Sequence, residues 1–383
     1  MNKKRKIAYI SGTRADFGLM TPVLLAIGRS PRFSLRVYAT GMHLMPEFGK
    51  TWKEVVNVFP NARQIPAVFK SHAQEGIAEF AGAFLPKIVS AFERDRPDFV
   101  LLLGDRAEQL MTATACLYLG IPTGHLHGGE KTHTVDELAR HAITKLASLH
   151  FTSTKETARR LAALGEKHRR IFITGAPALD TIARSKLPSP NTLRTKLGLA
   201  PRERFILLTE HPVSEEWREA GQQMREILAA VKEFKMPVVI VYPNADTGGA
   251  LIIKEINRER RNPLFRIFRS VPFAEFLALE RDAAVWVGNS SALMLESASF
   301  KTPAVHVGTR ELGREHGGNV LMVGYDRREI AWAIRKSLSD AAYLRRIGKV
   351  NNPWGSGKAA ERIVHILETH TLNSRLLSKQ LTY

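Results

Sequence analysis

Three acids, Asp105, Glu130 and Asp136, fall within one stretch, Phe99 to His141. Each follows the end of a strand-like apolar run or stands near the start of the helix after it. Acids placed close together push each other's pKa up, which suits one for acid work and another for base work. Each acid also has a structural reading. Thr134-Val135-Asp136-Glu137 fits a capping box at a helix start, and Asp136 to Arg140 is an i,i+4 pair. Three acids in one edge region point to proton transfer. His125, His127 and Glu130 lack the helical spacing of a zinc site and are interrupted by glycines, so no metal is expected.

A second constellation suits an anion. Gly288-Asn289-Ser290-Ser291 joins a strand to a helix, where small residues let backbone N–H groups approach a phosphate and a serine can cap the helix. Glu296 follows about one turn on, placed to accept from ribose hydroxyls. Arg310 ends the next strand, and its guanidinium matches phosphate geometry. His211 ends the first strand of the second half and either protonates or neutralises a leaving phosphate or simply caps a loop. Gly12-Thr13-Arg14 is either a further anion site at a helix N-terminus or a plain turn. The chain contains neither G-x-G-x-x-G nor a Walker loop, which argues against dinucleotide and P-loop enzymes.

The elements that must position these residues alternate between strand and helix. Ile7–Ser11, Phe33–Ala39, Phe99–Leu103, the run at Thr123, His150–Ser153 and Arg170–Thr174 read as strands separated by helices. Lys186–Asn191, with two prolines, reads as a linker, and the alternation restarts at Phe205–Thr209. Such a pattern implies parallel sheets covered on both faces, with ligands at the carboxyl ends of the strands. The expected division is an N-terminal domain over 1–182, a C-terminal domain over 183–365 and a tail over 366–383 that packs back on the first. A chain of 383 residues is long enough for two such cores.

Composition narrows the class. Hydrophobic residues make up 44% and charged residues 24%, as in ordinary globular proteins. The net charge of +19 invites a nucleic-acid reading, but the basic residues are dispersed among acids, so a solvated basic surface is the reading taken. The single cysteine, Cys116, lies on an apolar helix face and reads as a buried thiol in a reducing, cytoplasmic setting. No run approaches the length of a membrane helix.

Taken together, several segments resemble the UDP-N-acetylglucosamine 2-epimerase family. They are Ser11-Gly-Thr-Arg-Ala-Asp16, Gly104-Asp-Arg106, His127-Gly-Gly-Glu130, Val135-Asp-Glu137 with Arg140 through Lys145, and His211-Pro-Val213. Tyr242 through Asp246, Val271-Pro-Phe273, Gly288 through Ser291, and Gly308-Thr-Arg310 through Glu315 continue in the family's order. The run Arg140–Lys145 resembles the hydrolysing branch, which releases N-acetylmannosamine and UDP for sialic-acid-type sugars. The resemblance implies the GT-B fold, an α/β architecture of two Rossmann-like, doubly wound domains facing across a cleft. It further implies that Ser290 and Ser291 hold the diphosphate, Glu296 the ribose, and that Arg310 and Arg14 add charge. Asn244 and Asp246 would line the cleft, with Arg106 near the sugar, His43 in the substrate-binding set, and His211 at the leaving oxygen. Asp105 and Asp136 would be the acid–base pair. Many members carry glutamate where this chain has His127, so Glu130 is expected to supply the third carboxylate. The expected reaction is loss of the C2 proton and UDP to give 2-acetamidoglucal, then hydration with inverted C2. UDP-N-acetylglucosamine is the first substrate expected. The alternatives are UDP-2,4-diacetamido-2,4,6-trideoxyglucose and a non-hydrolysing epimerisation. No cofactor, nucleic acid or membrane partner is expected, and the chain is expected to form a homodimer or homotetramer.

Overall fold

The computed structural model describes residues 4–69, 74–132, 135–243, 248–380 and 382. The chain forms two units, Met1–Ala183 with Trp354–Tyr383, and Arg184–Pro353.

The first unit is built on the strands β1 (Arg5–Ser11), β2 (Phe33–Ala39), β3 (Arg63–Gln64), β4 (Phe99–Leu103), β5 (Thr123–Leu126), β6 (Leu149–Thr152) and β7 (Ile171–Ile173). They pair in parallel in the order β3-β2-β1-β4-β5-β6-β7. The five residues of β4, Phe-Val-Leu-Leu-Leu, are all buried, because helices cover both faces of the sheet. Ile7, Tyr9, Leu101 and Phe151 pack on one face, with Ala8, Ile10, Val100 and Leu102 on the other. The order reverses between β1 and β4, so the carboxyl ends of those strands form the crevice of this sheet.

The second unit uses β8 (Ile206–Thr209), β9 (Val238–Val241), β10 (Phe265–Phe268), β11 (Val285–Gly288), β12 (Ala304–Val307) and β13 (Val320–Val323). Their order is β10-β9-β8-β11-β12-β13, again parallel, and it reverses between β8 and β11. The sequence reading did not include β13. It is an edge strand whose side chains are mostly half-buried or exposed, so it lacks the apolar run that marks its neighbours. The proline-rich segment read as a linker runs into a helix, Pro190–Leu197, with Ser189 as its N-cap and Pro190 at its first position.

The chain rejoins the first unit at Trp354, earlier than the expected boundary at 366. The reason is local and polar. The Trp354 carbonyl accepts from Ala176 N–H at 2.7 Å. The carboxylate of Asp180 accepts from Ala359 and Ala360 N–H at 2.7 and 2.8 Å, and so caps the helix Ala359–Thr369 from a distant part of the chain. Ala360, Ile363 and Leu367 of that helix join the core with Met20, Val23 and Leu24. Beyond it, Arg170 holds the Leu376 and Ser378 carbonyls at 2.6 and 3.0 Å. Lys379 donates to the Thr144, Lys145 and Ala147 carbonyls at 2.9 to 3.0 Å and pairs with Glu166 at 2.7 Å. Three of the free carbonyls at the end of the helix Val135–Leu146 are thereby satisfied. Cys116 is buried, and burial pushes its thiol up, away from reactivity. No described helix is long and apolar enough to cross a membrane.

Candidate functional site

In the first unit, β4 ends at Leu103 and Gly104 turns the chain at φ +72°, a conformation that favours glycine. His125 of β5 supports this turn. Its Nε2 donates to the Gly104 carbonyl at 2.8 Å, and its Nδ1 lies 3.1 Å from the Thr144 hydroxyl. Burial pushes His125 down to about 3, so the ring is neutral at pH 7. Asp105 follows the turn and pairs with Arg140, whose side chain is 6% exposed. Arg140 also donates to the Glu130 carbonyl at 2.7 Å. The expected i,i+4 pairing of Arg140 with Asp136 is thus replaced by a link between two strand ends. Asp136 stands exposed on the same helix, Val135–Leu146. Thr134, and with it the expected capping box, lies outside the described residues; Glu137 accepts from Thr132 N–H at 2.8 Å.

Glu130 is buried. One of its oxygens takes a hydrogen bond from Ser153 Oγ at 3.0 Å and lies 2.6 Å from His127 Nδ1. His127 sits at φ +62°, a region where histidine is among the better tolerated residues. Asp105 and Glu130 are therefore joined through Arg140, with His127 beside Glu130.

Arg106, Arg14 and His43 are placed separately. Arg106 donates to Glu108 at 3.2 Å; burial opposes its charge, and Glu108 overrides that. The Glu108 carboxylate fills the space beside Gly12 and Gly41, where a Cβ would come within 2.2 and 2.9 Å of its Oε1. Arg14 is exposed and pairs with Glu54 at 3.1 Å. The proposed anion site at Gly12-Thr13 is already filled by the chain itself. Both N–H groups donate to Asp16 at 2.9 Å, completing a capping box. Asp16 is raised to about 6 by burial, against hydrogen bonds from Ser11 and Gly12. His43 is fully buried, its nitrogens 2.8 Å from Ser11 Oγ and 2.7 Å from Thr51 Oγ1, and burial lowers it to about 4. Neither ring nitrogen is left for a ligand in this conformation.

In the second unit, β11 ends at Gly288, with φ +130°, and an added Cβ there would lie 1.9 Å from the Thr209 carbonyl oxygen. That close approach lets Asn289 staple the two strand ends. Its amide donates to Glu210 Oε1 and to the His211 carbonyl at 2.8 Å, and accepts from His211 N–H at 2.7 Å. Glu210 is buried, and burial pushes its carboxyl well up despite Arg310. Burial and Arg310 push His211 down to about 3, so before any anion binds it is neutral at pH 7 and does not carry the positive charge considered from the sequence. Arg310 reaches the Asn289 carbonyl at 3.4 Å. Ser290 occupies the N-cap of the helix Ser291–Phe300 but makes no side-chain cap bond, contrary to the expectation. The hydroxyl is thus not engaged in capping. Glu296, on the same helix, is buried against Glu280 of the helix Phe273–Asp282. Burial drives both carboxyls up, Glu296 to about 7, so the pair holds at least one proton near neutral pH. Asn244 and Asp246 lie outside the described residues.

The sequence reading missed the partners: Glu108, Ser153, Glu210 and Glu280. An acid inside an apolar helical stretch, as in Phe-Leu-Ala-Leu-Glu280, was the available signal for one of them. Among the described residues, no three His, Cys, Asp or Glu side chains group as a metal site.

Residues 25–368 match the protein family described as UDP-N-acetylglucosamine 2-epimerase. The chain is 37% identical over 376 residues to the UDP-N,N'-diacetylbacillosamine 2-epimerase (hydrolyzing) of Legionella pneumophila, covering 98% of each. It is 34% identical over 336 residues to the UDP-N-acetylglucosamine 2-epimerase of Neisseria meningitidis serogroup B, covering 88% of each. Among solved structures, the Neisseria meningitidis UDP-GlcNAc 2-epimerase bound to UDP-GlcNAc matches with a TM-score of 0.83 at 19% identity, over 95% of this chain and 100% of that one. This likeness, with the two parallel sheets, shows the GT-B fold.

Proposed function

Since the chain belongs to the UDP-N-acetylglucosamine 2-epimerase family, we propose that it is a hydrolysing 2-epimerase of a UDP-2-acetamido sugar. The observation that carries this reading is the Asp105–Arg140–Glu130 cluster at the carboxyl ends of β4 and β5, beside the reversal point of the first sheet. It places the Asp105 carboxylate at a rigid strand end, with Glu130 and its neighbour His127 beside it. The second unit would supply the other half of the chemistry. A sugar C2–H is weakly acidic, so its loss needs a stabilised leaving group. Ser290, Ser291 and the first turn of their helix would bind the diphosphate, with Arg310 adding charge and Glu296 accepting from the ribose. Arrival of an anionic diphosphate beside neutral His211 would raise its proton affinity, suiting it to protonate the leaving oxygen.

Two substrates are supported. The Legionella relative, similar over nearly the whole chain, favours UDP-2,4-diacetamido-2,4,6-trideoxyglucose at least as well as the Neisseria relative favours UDP-N-acetylglucosamine. The test incubates the purified protein with each sugar nucleotide without added metal and follows products by NMR. Release of UDP with a free manno-configured sugar is expected, faster for one substrate. Asp105→Asn should lose most turnover while UDP binding persists. A UDP-linked epimer as sole product overturns the hydrolysing assignment.

A further inference from the structure

The first unit contains a carboxylate–imidazole dyad with one ring nitrogen unused. His127 Nδ1 lies 2.6 Å from Glu130 Oε1. A carboxylate only accepts, so Nδ1 carries the hydrogen, and Nε2 is the nitrogen left to take up a proton. Nε2 is buried and has no hydrogen-bond partner among the described residues. A buried ring nitrogen without a partner costs stability, and such groups occur where a ligand or reacting atom completes them. Ser153 Oγ, 3.0 Å from the same Glu130 oxygen, fixes that carboxylate in turn. The side chain keeps a tenth of its surface exposed while Nε2 itself is buried, so this nitrogen meets a substrate only when the turn around it shifts. Its backbone is held at φ +62° by the turn that contains Gly128 and Gly129. Around the dyad, Arg140 donates to the Glu130 carbonyl, Arg160 donates to the Gly129 carbonyl, and His125 is neutral.

We propose that His127, oriented by Glu130, is the base that removes the C2 proton, and that Glu130 is a positioning residue. This rests on the epimerase reading above. In the step, the C2–H bond breaks and its proton goes to Nε2. The freed electron pair becomes the C1=C2 double bond as the C1–O bond breaks and UDP leaves with that bond's electrons. The imidazolium then gives its proton to solvent. Glu130 holds the ring in the tautomer that presents Nε2 and stabilises the imidazolium that forms, as a carboxylate behind a histidine does in hydrolase triads.

The test compares His127→Asn, Glu130→Gln and the double variant on whichever UDP-sugar the wild type turns over. Asparagine tolerates positive φ, so His127→Asn removes the base with little backbone penalty. General-base catalysis contributes about 10²- to 10⁴-fold, so UDP release by His127→Asn should fall by at least about 100-fold with UDP affinity unchanged. Glu130→Gln should fall less. Its acidic limb in kcat/KM should move to lower pH, because the ring loses the negative charge that favours its protonated form. The double variant should be no slower than His127→Asn, since the pair acts as a unit. Glu130 acting as the base itself predicts the reverse ranking, with Glu130→Gln inactive and His127→Asn retaining most activity. That result overturns the proposal, as does an unmoved pH limb in Glu130→Gln. A wild type that releases UDP from neither sugar overturns the epimerase reading and this inference together. An active wild type matched by His127→Asn overturns this inference alone.

Discussion

Replacing Glu280 by glutamine should stabilise the second unit relative to the wild type increasingly as pH rises, because the fold holds this glutamate protonated. In the unfolded chain both Glu280 and Glu296 ionise near 4.5, whereas in the fold burial holds Glu296 at about 7 and Glu280 well above its ordinary value. Above pH 4.5 the unfolded state releases protons that the folded state keeps, so stability falls with rising pH across this window. A tenfold change in proton affinity is worth about 1.4 kcal/mol, so Glu296 alone withdraws about 3 kcal/mol between its unfolded value of 4.5 and its folded value of about 7. Glu280→Gln keeps the shape, cannot ionise, and removes Glu280's own share of this pH-dependent loss, while its amide can still donate to Glu296. The stability difference between variant and wild type should therefore grow in favour of the variant from about pH 5 to about pH 8, by at least about 1.4 kcal/mol, the worth of one pH unit over which the fold keeps a proton that the unfolded chain has lost. Urea unfolding followed by tryptophan fluorescence measures that difference, and Trp286 is buried within the same unit. UDP affinity should hold or rise near pH 8, because an ionised Glu296 accepts hydrogen bonds from hydroxyls better. Parallel stability curves for the two proteins across this range would refute the shared-proton account.

Two further outcomes follow from the edge of the second sheet. Gly288→Ala should destabilise the protein by more than about 4 kcal/mol or prevent folding, since a Cβ would lie 1.9 Å from the Thr209 carbonyl oxygen; expression as a stable, UDP-binding protein contradicts this. Ser290→Ala combined with Ser291→Ala should weaken UDP binding by about tenfold or more in calorimetry while slowing the chemical step less, because hydrogen bonds to charged groups are worth about 1.5–3 kcal/mol. Unchanged UDP affinity removes these serines from the diphosphate site.

The sequence by itself carried the alternation of strands and helices, and hence two parallel sheets. Runs such as Phe99–Leu103 are apolar throughout because both faces are covered, and that pattern is local. It also carried the turns at which Asp105, His211 and Ser290 stand, since glycines and polar residues punctuate strand ends. Tertiary structure decided the partners. Arg140 binds Asp105 rather than Asp136, Asp16 occupies the loop offered as an anion site, and Glu280 is buried beside Glu296. It also decided where the chain rejoins the first unit, through Asp180 capping a helix that begins at Ala359. Periodicity records which way a side chain faces relative to its own element. Which charge it meets depends on how distant elements pack, and the free energy of a buried charge is set by that meeting.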